Sequence, residues 1–209
     1  SDGLLRVDGL RSEISGAYFM ADFQQQIQVE KTQEGVALKL PEKPLDEIDT
    51  VIVLKITGKL DVERILPKQD EDGILELAMD DAHIHNPGYG GRLELIEDDN
   101  STFYLDGWTD FQSRVDWLVK IDEPGIFDVY AEVAAEEPAG ILLMANDEQK
   151  SLTLESTGGK QTFQTQRIGR LMLSEGESTI RIDPQISHWN PIRLRLVTLR
   201  PANSSEEFE

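Results

Sequence analysis

The chain contains no cysteine, which excludes disulfides, thiolate zinc sites and a cysteine nucleophile together. Histidine is almost as scarce, with three in 209 residues. Serine catalysis therefore has few bases to draw on, and no Gly-x-Ser-x-Gly elbow is present. Phosphate loops and dinucleotide fingerprints are also missing, so no cofactor is implied. No apolar run approaches the roughly 20 residues that a helix needs to span a bilayer. No basic segment followed by an apolar stretch marks a secretory leader. Positive charge is the other shortage: 20 Lys and Arg stand against 40 Asp and Glu, a net charge of -20. A nucleic-acid binder must neutralise phosphates. The chain is therefore expected to repel DNA, RNA and anionic membranes, and its acids read as a solvated surface. A secreted or periplasmic home stays open, because a chain of this size needs no covalent staples.

What the sequence does hold is strand signal. Between Arg114 and Val133, Val115, Trp117, Val119 and Ile121 fall on one face of an extended segment, and Phe127, Val129, Ala131 and Val133 do so after Pro124-Gly125. Side chains in a strand alternate with period two, so this stretch reads as a β-hairpin with one buried side and Trp117 in the core. Shorter strand candidates surround it. Before it come Leu4 to Val7, Ala17 to Met20, Ile27 to Glu30, Val36 to Leu40, Ile74 to Ala78 and Arg92 to Ile96. After it come Ile141 to Ala145, Leu152 to Leu154, Phe163 to Arg167, Arg170 to Leu173, Thr179 to Ile182 and Ile192 to Leu199. The run Thr50 to Ile56 is nearly all Val, Ile and Leu and reads as a strand covered on both faces. Pro41 and Pro44 interrupt the first block. No segment keeps helical periodicity long enough for a substantial helix. The fold class is all-β, and many short strands separated by turn residues indicate a sandwich or jelly roll.

The chain divides at composition shifts. Residues 1–60 form a partial sandwich that is small for independent stability and is expected to be the end of a larger β-domain. Residues 61–72 are charged and irregular, a linker or edge segment; 73–201 form the jelly roll; 202–209 are a disordered acidic tail.

Acids are too many for any pair to stand out as the acid and nucleophile of a glycosidase. His83-Ile84-His85 places two imidazoles on one strand face, which suits a metal, but spacing identifies no third ligand and no metal is assigned. Asp70-Glu71-Asp72-Gly73 lacks the remaining positions of a calcium loop. Asn100-Ser101-Thr102 fits the N-glycosylation pattern, which has meaning only in a eukaryotic secretory pathway. Aromatics carry more. Sugars present flat C–H faces that exposed rings grip with polar groups nearby. Tyr89, Tyr104, Trp108 and Trp189 lie in or beside predicted loops and, with Asp110, are the candidate carbohydrate-binding residues. The alternative for each ring is that it caps the core from its end.

Two stretches resemble one family. Leu4 to Leu10, Ala17 to Asp22, Leu38-Lys39-Leu40-Pro41 and Asp49 to Ile56 are similar to the last part of the C-terminal β-sandwich of α-L-fucosidase-family glycoside hydrolases. Asp72-Gly73-Ile74, Ala82 to His85, Gly107-Trp108-Thr109-Asp110, Val115-Asp116-Trp117, Glu123-Pro124-Gly125, Thr157-Gly158-Gly159 and Leu196 to Pro201 resemble the jelly roll appended to many bacterial members, itself like carbohydrate-binding modules. The resemblance implies a partial antiparallel β-sandwich followed by a β-jelly-roll of the galactose-binding-like kind, and a catalytic barrel upstream that holds both catalytic carboxylates, so none is carried over here. It also implies a periplasmic or secreted location. Related modules hold calcium through an acid in the last strand, where this chain has Arg193 and Arg195, so no calcium is implied. The chain is therefore expected to be a non-catalytic accessory region, with glycan and the upstream catalytic domain as partners. The alternative is a structural or protein-interaction sandwich module of a surface protein with no sugar affinity.

Overall fold

The computed structural model describes residues 3–41, 43, 50–90 and 92–202. Pro44, Asp49, Gly91 and the tail from Asn203 onward lie outside the described residues. The chain divides into two compact units, Ser1–Ile65 and Leu66–Glu209. Strands dominate both. The only helical turn among the described residues is a 3-10 turn at Ile186–His188, and no helix is long and apolar enough to cross a membrane.

The first unit holds β1 (Leu4–Asp8), β2 (Glu13–Phe19), β3 (Asp22–Gln26), β4 (Gln28–Lys31), β5 (Gly35–Lys39) and β6 (Ile52–Thr57). They form two three-stranded antiparallel sheets, β1-β5-β4 and β3-β2-β6. A small core of Ala17, Phe19, Ile27 and Leu38 joins them. β6 corrects an expectation, because its residues are half-buried or exposed instead of covered on both faces. Its apolar run reflects β-propensity more than burial. The unit leaves Met20 and Phe23 about two-thirds exposed, at 67% and 70%.

The second unit contains β7 (Leu75–Ala78), β8 (His83–His85), β9 (Glu94–Glu97), β10 (Phe103–Asp106), β11 (Arg114–Ile121), β12 (Gly125–Ala135), β13 (Ala139–Ala145), β14 (Glu148–Leu154), β15 (Gln164–Leu173), β16 (Gly176–Pro184) and β17 (Ile192–Pro201). One sheet runs β14-β13-β16-β11-β8. The other runs β15-β12-β17-β10-β9, with β7 also on β17. Their apolar faces share one core, the packing of a jelly roll. Alternation builds it: Val115, Trp117, Val119 and Ile121 point in from one sheet, and Phe127, Val129, Ala131 and Val133 from the other. Trp117 also donates its indole N–H to the Ala78 carbonyl at 2.8 Å, tying the two sheets.

The Arg114–Val133 stretch is thus not a hairpin. β11 pairs β16 and β8, whereas β12 pairs β15 and β17. Pro124-Gly125 carries the chain across the core from one sheet to the other. Period-two alternation fixes which face of a strand is buried; it does not choose the partner strand. β17 departs from simple alternation as well. A register shift near Arg195 turns Leu196 outward and Val197 inward, because two residues of β17 share one position opposite β12. Residues 66–72 run along the rim of this unit. Lys68 bridges Lys120 in parallel, and the Gln69 side-chain oxygen accepts the Asp122 and Glu123 amides at 2.9 Å each.

Candidate functional site

Strand pairing gathers several loops at one end of the second unit. β8 ends beside the start of β11, β10 and β12 end beside the start of β17, and β14 ends beside the start of β13. The connections 86–93, 107–113, 136–138, 155–163 and 185–191 therefore meet there. Asn86 organises the first two. Its side chain donates to the Leu93 carbonyl at 2.9 Å, accepts the Leu93 amide at 3.1 Å, and accepts from the Ser113 hydroxyl at 3.0 Å. Gly107 makes the second loop possible: φ is +71° and a Cβ would lie 2.2 Å from the Arg92 carbonyl oxygen, so only glycine fits.

The candidate residues separate into three groups. Tyr89 is 82% exposed on the first loop. Its neighbour Gly90 abuts Asp110, whose Oδ2 lies 3.2 Å from the position a Cβ would take. Asp110 Oδ1 accepts the Gln112 amide at 2.6 Å, which holds the carboxylate in place. Tyr89 and Asp110 thus belong to one surface. Trp108 is a correction. It is 1% exposed, donates its indole N–H to the Ser113 carbonyl at 3.0 Å, and packs its ring 5.1 Å from that of Trp189. It caps the core from its end and lies almost wholly out of solvent. Trp189 lies half-buried over it, and its Nε1 is buried with no hydrogen-bond partner.

Tyr104 stands apart from these. It sits on the short strand β10, where Leu105 points inward and turns Tyr104 to the outer face. There the half-buried ring meets Phe163 edge-on at 5.9 Å and lies 5.3 Å from the Arg193 guanidinium. Sequence reasoning missed Arg193, Lys160 and Asp106. With Gly107, Thr109 and Pro191 they border a depression of about 110 Å³ beside the tryptophan pair. Arg193 donates to Asp106 Oδ2 at 2.7 Å. Burial would raise the Asp106 carboxyl, but the Arg193 hydrogen bond, the Gly107 amide and the charges of Arg193 and Lys160 outweigh it and hold the group below the usual carboxylate range. No local sequence signal marks this pair, since its partners are 87 residues apart.

Chemically, the loop end offers an exposed ring, two carboxylates, a guanidinium and an amine, which suits hydrogen bonding to hydroxyls. The carboxyl shifted upward among the described residues, Asp81, is raised by burial and then by Asp80, and lies on the β7–β8 connection instead of among these loops. A larger depression of about 660 Å³ lies on the outer face of the five-stranded sheet. Leu118, Met144, Thr179 and Arg181 form part of its lining, which includes no aromatic ring.

No protein-family model matches the chain, and no curated protein matches it. Solved structures do. A family 35 carbohydrate-binding module from Clostridium thermocellum is 19% identical, with a TM-score of 0.51 over 62% of this chain and 98% of that one. A Podospora anserina GH26-CBM35 β-(1,4)-mannanase is 16% identical with a TM-score of 0.50 over 65% of this chain, which spans 29% of that enzyme. The insecticidal crystal protein Cry2Aa is 16% identical with a TM-score of 0.52, over 64% of this chain and 22% of that one. At these identities the likeness is one of fold. The chain has a carbohydrate-binding-module-like jelly-roll fold, and that fold also occurs in a protein whose description is not a sugar-binding one.

Proposed function

We propose that the chain is a non-catalytic accessory region of a glycoside hydrolase, and that its jelly roll binds glycan through the loop end that carries Tyr89 and Asp110. The observation that carries this reading is the exposed Tyr89 ring, on a loop whose Gly90 abuts the pinned Asp110 carboxylate, on a carbohydrate-binding-module-like fold. A ring of this kind stacks on a sugar face while the carboxylate accepts from its hydroxyls. The parent resembles an α-L-fucosidase on the motifs given above. In this reading the first unit is the end of that enzyme's C-terminal sandwich, the catalytic domain precedes it, and the location is periplasmic or secreted. The exposed Met20, Phe23 and Val51 support a packing role for the first unit, since Met20 donates its amide to the Val51 carbonyl and so places two of the three side by side.

Titration against fucosylated and unsubstituted oligosaccharides tests the binding. Tyr89→Ala should weaken it by about tenfold or more while leaving thermal stability within about 0.5 kcal/mol of the parent. Unchanged affinity would remove the loop end from consideration. A second reading places the glycan on the larger depression of the five-stranded sheet, favoured by its size. Thr179→Trp would fill that depression, and it abolishes binding only on the second reading. Turnover of a nitrophenyl fucoside by the chain alone, above a buffer blank, would refute its non-catalytic character.

A further inference from the structure

The outer face of the six-stranded sheet carries a cluster that the loop end does not use. Asp128 on β12 stands opposite Arg170 on β15 and opposite Arg200 on β17. In the next outward row, Tyr130 stands opposite Arg167 and Thr198. Phe127, Val129 and Ala131 turn to the core, so Asp128 and Tyr130 face outward with their partners. Arg167 and Arg170 each donate Nε–H to Asp128 Oδ1, at 3.1 and 2.9 Å, and Asp128 is 7% exposed beneath them. Arg200 takes no carboxylate among the described residues. Its guanidinium lies 5.2 Å from the centre of the Tyr130 ring, and the residue is exposed. Glu76 on β7 closes the second row, opposite Thr198. Three guanidiniums therefore outnumber two carboxylates here, in a chain of net charge -20. On the other side of the Asp128 row, Ile126 and Met172 face each other across β12 and β15, 43% and 62% exposed. β12 reaches the loop end at Ala135 and β17 leaves it at Ile192, so this cluster occupies the half of the sheet far from those loops.

We propose that this surface docks an acidic polypeptide, one whose carboxylates flank an apolar side chain. Arg, Tyr and Met are the residue types enriched at protein–protein interfaces, where Lys is depleted. Carboxylates of the partner meet the Arg200 and Arg167 edges, because a guanidinium pairs with a carboxylate through two parallel N–H donors. Asp128 does not repel them, since the two β15 guanidiniums already cover it. The apolar side chain of the partner covers Ile126 and Met172, a contact that an acidic polysaccharide does not supply. A second copy docked through a two-fold axis would set arginine against arginine, so the occupant is a different chain. The total charge of this chain opposes an acidic partner only at long range. At physiological salt, charges more than about 8 Å apart are largely screened, so the local surplus decides at contact.

Fluorescence anisotropy of a labelled short peptide of alternating Glu and Leu, titrated with the full chain at low salt, tests the proposal. A dissociation constant on the order of 0.1 mM is expected. The same peptide with Gln in place of Glu should not bind. Arg200→Glu should weaken binding by at least about tenfold, and Met172→Ser by about threefold. Lys59→Glu makes the same charge change at an exposed position of the first unit, and it should leave binding within about twofold of the parent. Thermal melts confirm that the variants fold. Equal losses in Arg200→Glu and Lys59→Glu would assign the effect to total charge and overturn the proposal. So would absence of binding by the parent at millimolar peptide. Tighter binding of polyglucuronate, lost in Arg200→Glu, would also overturn it and make the surface one for an acidic polysaccharide.

Discussion

Asp128 lies 7% exposed on β12, beneath two guanidiniums. Its Oδ1 accepts from Arg167 and Arg170, and its Oδ2 from Arg170 at 3.0 Å. The Arg170 hydrogen bond holds the carboxyl below the usual carboxylate range; burial opposes this and is outweighed once Arg167 and both charges are added. A folded pKa below the unfolded one adds stability above the unfolded value of about 3.9. That stability is lost as pH falls through this value towards the folded one. Asp128→Asn should therefore be less stable at pH 7 by about 2 kcal/mol, less than for a wholly buried pair because Arg167 is half in solvent. At pH 3 the gap to the parent should narrow, and urea melts at both pH values measure it; an equal gap at the two would refute the argument. Trp108 shows the limit of reading a residue by its neighbours. Gly, Asp and Thr around it suggest a loop ring open to ligand, yet the ring closes the core. Trp108→Ala should remove about 3–5 kcal/mol of stability. Trp108→Phe, which keeps packing and loses the bond to Ser113, should remove nearer 1 kcal/mol on top of the smaller ring.

Elements were legible where alternation is long. β11, β12 and β13 stand out in the sequence because one face of each is uniformly apolar. β3 (Asp-Phe-Gln-Gln-Gln) and β10 (Phe-Tyr-Leu-Asp) do not, because each is short and owes its place to neighbouring strands. The candidate strands 163–167 and 170–173 are one strand, β15, with an extra residue at Ile168 where Val129 faces Gly169 and Tyr130 faces Arg167. Loops depend on individual backbone fits that pattern does not report. Gly107→Ala would add strain at positive φ and press a Cβ on the Arg92 carbonyl. We expect about 2 kcal/mol or more of destabilisation, together with faster amide exchange in residues 86–93 and 107–113.

At the scale of the molecule, the two units differ in what holds them. The second buries residues from both of its sheets, including Trp108, Trp117, Phe127, Leu75 and Ile141. The first centres on Ala17, Phe19, Ile27 and Leu38. Each fully buried large apolar side chain contributes about 1.5–3 kcal/mol, so the second unit should be the more stable. Hydrogen exchange in increasing urea should show β2 and β5 losing protection before β11, β12 and β17. Simultaneous loss would mean that the units unfold as one. The net charge of -20 bears on solvation and association more than on fold.

Composition and period-two patterning were enough to determine an all-β chain and the inward faces of β11 and β12, because these depend on local alternation. Which strands pair, which rings stay free and which side chains converge were decided only by the tertiary structure. Tyr89 remains open while Trp108 is covered, the Pro124-Gly125 turn crosses between sheets, and Asp116 reaches both histidines of a neighbouring strand. Each depends on a contact between residues far apart in the chain, and such contacts leave no mark on the local order of residues.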